Sequence, residues 1–175
     1  MTASTRERLE TDRMVLERVR AEHAEELFAL LADPRIARTL YASGVPQSDA
    51  EMADNLVGKL GHWERYGFGM WLLRDRETGA TVGRGGLQHT FVDGRDEIEV
   101  GWAIAPARWG EGLATEMAHA AVHVAFDDLG LGDIVAFTLP TNVASRRVME
   151  KSGFSYEREI VHAGLPHVLY RRRRC

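Results

Sequence analysis

The sequence has a single cysteine, and it is the last residue, Cys175. A disulfide framework, a cysteine metal cluster and a cysteine nucleophile are therefore not expected. Long apolar runs are also missing, so no segment is predicted to span a membrane, and the opening residues MTASTRERLETDR lack the apolar core of a signal peptide. These absences predict a cytoplasmic protein without a membrane partner.

The chain also lacks an excess of positive charge. Its formal net charge is −4, which argues against a general nucleic-acid-binding protein. One basic run, Arg171–Arg174, goes against this trend and fits either a solvated strand edge or a specific partner. With 45% hydrophobic and 27% charged residues, the chain predicts one globular domain, residues 1–175.

The clearest pattern lies in residues 97–116, EIEVGWAIAPARWGEGLATE. It begins with the strict alternation of a half-buried strand, in which Ile98, Val100, Trp102 and Ile104 lie on one face and Glu97, Glu99, Gly101 and Ala103 on the other. Two glycines then flank a turn, and apolar residues follow at helical spacing. A strand that enters a glycine turn before a helix directs several backbone N–H groups at one point, where a phosphate would bind.

Two common phosphate-binding patterns do not fit this turn. A P-loop needs Lys and then Ser or Thr after its last glycine, where Leu113 and Ala114 stand. A dinucleotide-binding turn needs Gly or Ala at the position of Thr115. The segment from Trp109 to Ala114 instead resembles the acetyl-CoA-binding motif Q/R-x-x-G-x-G/A of the GNAT superfamily of N-acetyltransferases, with Trp in the first position.

Residues 109–116 also match the W-G-x-G-x-A-T-E pattern of the branch that resembles the ribosomal-protein alanine N-acetyltransferases (RimJ/RimL-type). The resemblance implies acetyl-CoA as cosubstrate and direct acetyl transfer without a metal. A purely structural glycine turn is the alternative. We expect acetyl-CoA to contact Ile104, Trp109, Gly110, Glu111, Gly112, Leu113, Ala114, Thr115, Asn142 and Arg147.

A second motif, NVASRRVMEKSGF at residues 142–154, resembles the N-x-x-A/S-x-x-L/V-x-x-K-x-G-F segment of the same family. Asn142 would cap a helix or hold a polar ligand chain. The resemblance makes Ser145 the candidate acid for the departing thiolate, because Met149 stands where many relatives have a tyrosine and cannot donate a proton. Ser145 also suits the first turn of a helix for structural reasons. Arg147 would reach a CoA phosphate or remain a surface cation.

Transfer to an amine requires a base, because only the neutral amine attacks a thioester. Glu99, and less directly Glu97, leave the strand on the face opposite its apolar residues, so either would take the proton directly or through water; a solvated strand face is the alternative for both. A backbone N–H near Ile104 would stabilise the oxyanion.

Further side chains are candidates for the acceptor side. His162 or His167 would replace an acidic contact that relatives carry at the position of Pro166. His119 and His123 have metal-ligand spacing on a helix, but no third ligand is evident. Six aromatic residues would line an acceptor cleft or fill the core: Tyr41, Trp63, Tyr66, Phe68, Trp71 and Phe91.

The order of predicted elements is a strand, helices, a run of antiparallel strands, and then strand–helix–strand–helix–strand–strand. The first strand is expected at Met14–Val19, a hairpin at 70–87, and Ser48 with Glu51 forms a capping box before a helix that ends near Gly67. This order predicts an α+β fold. The resemblance implies the GNAT arrangement, a mixed, largely antiparallel sheet with helices on both faces.

The predicted function is acetyl transfer from acetyl-CoA to an amine, either a protein α-amino terminus or a small-molecule amine. A non-catalytic acyl-CoA-binding module is the competing hypothesis, and a nucleotide-dependent oxidoreductase is a remote third. Homodimer formation is left open by the sequence.

Overall fold

The computed structural model describes residues 6–175, and one sheet of eight strands organises them. The strands are β1 (Arg8–Glu10), β2 (Met14–Arg18), β3 (Met70–Asp75), β4 (Thr81–Val92), β5 (Arg95–Ile104), β6 (Asp133–Thr138), β7 (Ser155–His162) and β8 (Leu165–Arg173). Their spatial order is β1-β2-β3-β4-β5-β6-β8-β7. Among these strands, β5 and β6 run parallel and the other neighbours pair antiparallel, as the α+β prediction requires.

Within residues 8–175, five α-helices connect the strands: α1 (Ala24–Leu31), α2 (Pro34–Leu40), α3 (Asp49–Tyr66), α4 (Leu113–His123) and α5 (Val143–Lys151). The predicted capping box is confirmed, since Ser48 and Glu51 satisfy each other's backbone N–H groups at the start of α3. Gly67 ends that helix in the left-handed conformation, as expected for its glycine. No helix within residues 6–175 is long and apolar enough to cross a membrane.

The helices cover both faces of the sheet. On one face, Leu113 and Met117 of α4 pack against Val100 and Ile104 of β5 in the largest core cluster. On the other face, α1 and α3 cover Met70 and Leu72 of β3, while α2 reaches Ala103 through Ile36. The predicted alternation along β5 therefore corresponds to two faces of the sheet, one covered by α4 and the other covered by the N-terminal helices.

Two strands differ from the prediction. The three-residue strand β1 was not predicted, because its exposed charged ends give no apolar alternation and only its pairing with β2 defines it. Strand β4 continues to Val92 instead of ending at Leu87, because it pairs with β5 along its whole length up to the turn at Asp93 and Gly94.

The parallel pair β5–β6 is short, and this opens the sheet. Only Glu99 and Val135 are paired across it, although both strands continue beyond this point. Ala105 donates its N–H to Val82 O at 2.8 Å. Backbone groups alternate in direction along a strand, so Trp102 and Ile104 direct theirs away from β4 and into the gap between β5 and β6.

The basic run at the end of the chain belongs largely to the fold. Arg171 is 8% exposed and bonds the carboxylates of Glu97, Asp133 and Glu157 at 2.7–3.2 Å. Arg172 donates to the carbonyl oxygen of Ser152. Glu97 is thereby held in an ion-pair network, so the expectation that it faces an acceptor as a base is wrong.

Candidate active site

The turn between β5 and α4 is built from two glycines and a short 3₁₀-helix, Pro106–Arg108. Gly110 and Gly112 have φ values of +82° and +81°, a left-handed conformation that residues with a Cβ rarely adopt. The indole nitrogen of Trp109 donates to Ile104 O at 2.7 Å, which ties the turn back to the strand end. The hydrogen bond between Trp109 and Ile104 therefore fixes the conformation of the loop, independently of any contact that either residue makes with a ligand.

Six consecutive backbone N–H groups in this turn have no acceptor among residues 6–175. The first internal bond of α4 runs from Glu116 N to Gly112 O, and no acceptor is present for the N–H groups of residues 110–115. A Cβ at Gly110 would meet nothing within 4 Å, so the space in front of the turn is open. Unpaired N–H groups at a helix N-terminus bind anions, and the geometry fits the pyrophosphate of acetyl-CoA.

Arg13, a residue that the sequence analysis missed, holds this turn from outside. Its Nη1 donates to Glu111 O at 2.7 Å, and its Nε and backbone N–H both donate to the carboxylate of Glu116. Arg108 bonds Glu111 and Asp75 in addition. Because Glu111 is exposed and paired with Arg108, its side chain supports the turn and leaves the backbone free for a ligand.

A cavity of about 190 Å³ opens where β5 and β6 separate. One wall comes from the end of α2, one from β4 and β5, and one from β6 and α5, while the hairpin β7–β8 closes the remaining side. Its lining residues are Thr39, Leu40, Tyr41, Arg84, Gln88, Glu99, Val100, Gly101, Trp102, Phe137, Thr138, Asn142, Ser145, Met149, His162 and His167.

The cavity brings together three of the predicted site residues, Glu99, Asn142 and Ser145. The turn residues Trp109, Gly110, Glu111, Gly112, Leu113, Ala114 and Thr115 lie outside it, as do Ile104 and Arg147. Leu113 and Ile104 have buried side chains and offer a ligand only their backbone, whereas Arg147 is exposed on α5. The predicted residues thus fall into two groups, one in the turn with the unpaired N–H groups and one in the separate cavity.

Glu99 lies on the face of β5 predicted from the alternation, and three groups determine its charge. Burial raises the pKa of Glu99, while a hydrogen bond from Gln88 and the positive charges of Lys59 and Arg84 oppose that rise. Gln88 Nε2 donates to Glu99 Oε2 at 3.0 Å, and Gln88 Oε1 accepts from Lys59 Nζ. Burial also lowers the pKa of Lys59 to about 8. A carboxylate with a raised pKa is well suited to accept a proton near neutral pH.

Asn142 caps α5, as one of its two predicted roles requires. Its Oδ1 accepts the N–H of Ser145 at 3.2 Å, and its Nδ2 donates to Thr138 Oγ1 at 3.0 Å. Ser145 therefore lies in the first turn of the helix, with its backbone held by Asn142 and its side chain at the cavity wall. Met149, one turn further, is buried at the same wall and provides no proton.

The histidines of the last hairpin lie at the cavity, where the sequence analysis expected them. The rings of His162 and His167 are 5.5 Å apart, and His162 packs 4.7 Å from the ring of Phe137. Burial lowers the pKa of His162, and His167 lowers it further. Among the predicted aromatics only Tyr41 lines the cavity; Trp63 and Trp71 are core residues.

Arg84, Gln88 and Lys59 are functional candidates that the sequence analysis missed. None of the three belongs to a recognisable sequence motif, so no local pattern indicates its role. Even spacing places Arg84 and Gln88 on one face of β4, but only the pairing of β4 with β5 shows that this is the face of Glu99. Within residues 6–175, no three His, Cys, Asp or Glu side chains group together as metal ligands.

Comparisons with known proteins agree with this geometry. Residues 13–155 match the family described as an acetyltransferase (GNAT) domain. The uncharacterised protein YkkB of Bacillus subtilis is 31% identical over 99% of this chain and 98% of its own length. The uncharacterised N-acetyltransferase YoaA of the same organism is 30% identical over 85% of this chain and 83% of its own. The structure of a GNAT-family acetyltransferase from Bordetella pertussis superposes with a TM-score of 0.82 at 28% identity, covering 95% of this chain and 99% of that one.

Proposed function

The chain belongs to the GNAT acetyltransferase family, whose members use acetyl-CoA, and we propose that its cavity is where an acetyl group passes directly to an amine. One observation carries the proposal: a single cavity joins Glu99 on the sheet face to Ser145 on α5 across the gap between β5 and β6. A base and an acid thus reach one space from opposite walls.

The proposed binding mode of acetyl-CoA follows from the unpaired backbone groups. Its pyrophosphate binds the N–H groups of residues 110–115 at the start of α4. Its amide-containing arm extends along the open strand edge, where Trp102 and Ile104 direct backbone groups into the gap. This path ends at the cavity beside Asn142 and Ser145. Arg147, exposed on α5, is the proposed contact for a further phosphate.

Each cavity residue has one proposed role. Glu99 takes a proton from the attacking amine, directly or through water, as the amine nitrogen bonds to the acetyl carbon. A strand-edge N–H near Ile104 stabilises the negative charge on the acetyl oxygen. The carbon–sulfur bond then breaks, and Ser145 Oγ donates its proton to the CoA sulfur as it takes up another from water, while Glu99 releases its proton to water. The products are an acetylated amine and free CoA.

The acceptor is a small-molecule amine or a protein α-amino terminus. The W-G-x-G-x-A-T-E match at residues 109–116 supports the branch that resembles ribosomal-protein alanine N-acetyltransferases. Turnover of an amine panel with acetyl-CoA, followed by thiol release and by mass of the acetylated product, tests the proposal. Product formation that falls in Glu99→Gln supports it. Binding of acetyl-CoA with no product from any amine would instead favour the non-catalytic acyl-CoA-binding module.

A further inference from the structure

Arg84 presents a guanidinium group at the cavity without a carboxylate partner among residues 6–175. Its one hydrogen bond from the side chain runs from Nη1 to Met70 Sδ at 3.8 Å, and a thioether sulfur is a weak acceptor. By contrast, Arg74, which is also partly buried, bonds the carboxylates of Glu17 and Glu26. A half-buried guanidinium with unused donors is costly unless water or a ligand satisfies them. Arg84 is therefore ready to bind an anion inside the cavity.

The neighbours of Arg84 place this cation close to Glu99. Met70, Gly86 and Gly101 form a cross-strand row over β3, β4 and β5, because Met70 pairs with Gly86 and Gly86 pairs with Gly101. Arg84 reaches this row from one side through Met70 Sδ. Glu99 reaches it from the other side, since its Oε1 lies 3.7 Å from the position of a Cβ on Gly101.

The row itself is small and apolar, so its own side chains offer no polar group that would compete with Glu99 and Arg84 for a ligand. Neither glycine has a side chain, and the Met70 methyl group lies 3.6 Å from the Gly101 Cβ position. A molecule with a positive end, a short carbon segment and a negative end matches the order Glu99, Gly101 with Met70, and Arg84. An amino acid in its ordinary zwitterionic form has this order of groups.

We propose that the acceptor is a small amino acid whose amine faces Glu99 and whose carboxylate binds Arg84. The planar guanidinium forms paired hydrogen bonds with a carboxylate. A phosphate dianion would meet the Glu99 carboxylate as well as the cations Arg84 and Lys59, and a polycationic amine would be repelled by both cations. A protein N-terminus carries a neutral amide in place of the carboxylate. The proposal rests on the proposed acetyl transfer. The bonds formed and broken are the same as in that transfer, because the carboxylate of the acceptor is bound and does not react.

The experiment compares kcat/KM for three matched sets: amino acids, their α-amides and the corresponding decarboxylated amines, with acetyl-CoA saturating. In the set that contains the most active amino acid, we expect kcat/KM for the amino acid to exceed the values for its amide and its amine by about 10²-fold. The amide and the amine leave the Arg84 guanidinium unpaired. Arg84→Gln should remove most of that preference by lowering only the amino-acid value. Arg38→Gln, an exposed arginine on α2, changes the net charge equally and should keep the preference.

Two further measurements distinguish the loss of the proposed carboxylate contact from a folding defect in Arg84→Gln. Gly101→Ala places a methyl group at ordinary contact distance from Met70 and Glu99, so it should fold while lowering kcat/KM for the amino acid. In wild type, the deaminated carboxylate should compete with the amino acid, and Arg84→Lys should weaken this competition. Equal or better turnover of amides, amines or phosphonate analogues would overturn the carboxylate proposal and leave acetyl transfer standing. Acetyl-CoA binding without any turnover would overturn the proposed function itself.

Discussion

Gln88 and Glu99 face each other on neighbouring strands, and Gln88 Nε2 donates a hydrogen bond to Glu99 Oε2 at 3.0 Å. The other end of the Gln88 amide accepts from Lys59 on α3, so the orientation of the amide is fixed. A hydrogen bond donated to a carboxylate favours its charged form. Gln88 therefore limits how far burial raises the pKa of Glu99, and it holds the carboxylate over Gly101.

Replacing Gln88 with leucine should move the activity of Glu99 to higher pH. Gln88→Leu keeps the approximate volume but removes the donated hydrogen bond, so the pKa of Glu99 should rise further. The rising limb of kcat/KM against pH should then shift upward, with the plateau less affected. Thr90→Val, two residues along the same face of β4 and opposite Glu97, is the matched control and should leave the limb in place. An unshifted limb in Gln88→Leu would remove Gln88 from its role as a positioning residue.

Replacing Gly112 should weaken acetyl-CoA binding. Gly112→Val forces a β-branched residue into a left-handed conformation and places a side chain next to the unpaired N–H groups. Affinity measured by calorimetry should fall by more than about tenfold. Gly130→Val introduces the same side chain at φ +67° in the connection before β6, so it matches the backbone strain without touching the turn. Equal losses of affinity in both variants would attribute the effect to stability.

Removing the hydroxyl of Ser145 should affect chemistry more than binding. If Ser145 Oγ protonates the CoA sulfur, Ser145→Ala should lower kcat by about 10²-fold while the dissociation constant of acetyl-CoA stays nearly constant. The backbone N–H of residue 145 still bonds Asn142, so the helix cap is preserved. Wild-type kcat in Ser145→Ala would mean that water supplies the proton.

Removing Arg171 should destabilise the fold without reaching the cavity. Arg171→Met leaves Glu97, whose side chain is 10% exposed, without its partner, and this should cost about 3 kcal/mol or more in urea unfolding at neutral pH. Arg173→Met, at a side chain that is 73% exposed, should cost less than about 0.5 kcal/mol. Equal stabilities of the two variants would refute the structural role of Arg171.

The same ion pairs predict a pH dependence. Arg171 lowers the pKa of Glu157 below its ordinary value of 4.5. A lowered carboxylate pKa stabilises the fold above the unfolded value and loses this contribution as pH falls through the folded value. The difference between wild type and Arg171→Met should therefore shrink in unfolding measurements below about pH 4.

The sequence predicted the features that depend on neighbouring residues. The Ser48–Glu51 capping box, the Gly67 helix end and the strand–turn–helix at residues 97–116 are local patterns, and the structure confirms each of them. The short strand β1 gave no such signal, because its position depends on pairing with β2.

Distant contacts account for what could not be predicted at the site. Glu97 and Glu99 are equivalent in the alternation, but Glu97 is bound by Arg171, 74 residues away in sequence, while Glu99 remains at the cavity. Arg84 is one arginine among many in the sequence, and only the pairing of β4 with β5 brings it to the row beside Glu99. Residues of this kind are recognisable only when the sheet register is known.

The most direct test of the account is the pH dependence of kcat/KM in wild type and Glu99→Gln, measured on two accepted amines of different pKa. A rising limb of the pH profile that reports a group of the enzyme has the same apparent pKa with both amines. A limb that reports ionisation of the amine changes with the pKa of the amine. We predict that the wild-type profile contains a limb from a group of the enzyme and that Glu99→Gln loses this limb. The loss of rate should be larger for a lysine-like amine of pKa about 10.4 than for an α-amine of pKa about 8. Full activity and an unchanged profile in Glu99→Gln on both amines would contradict the assignment of Glu99 as the base.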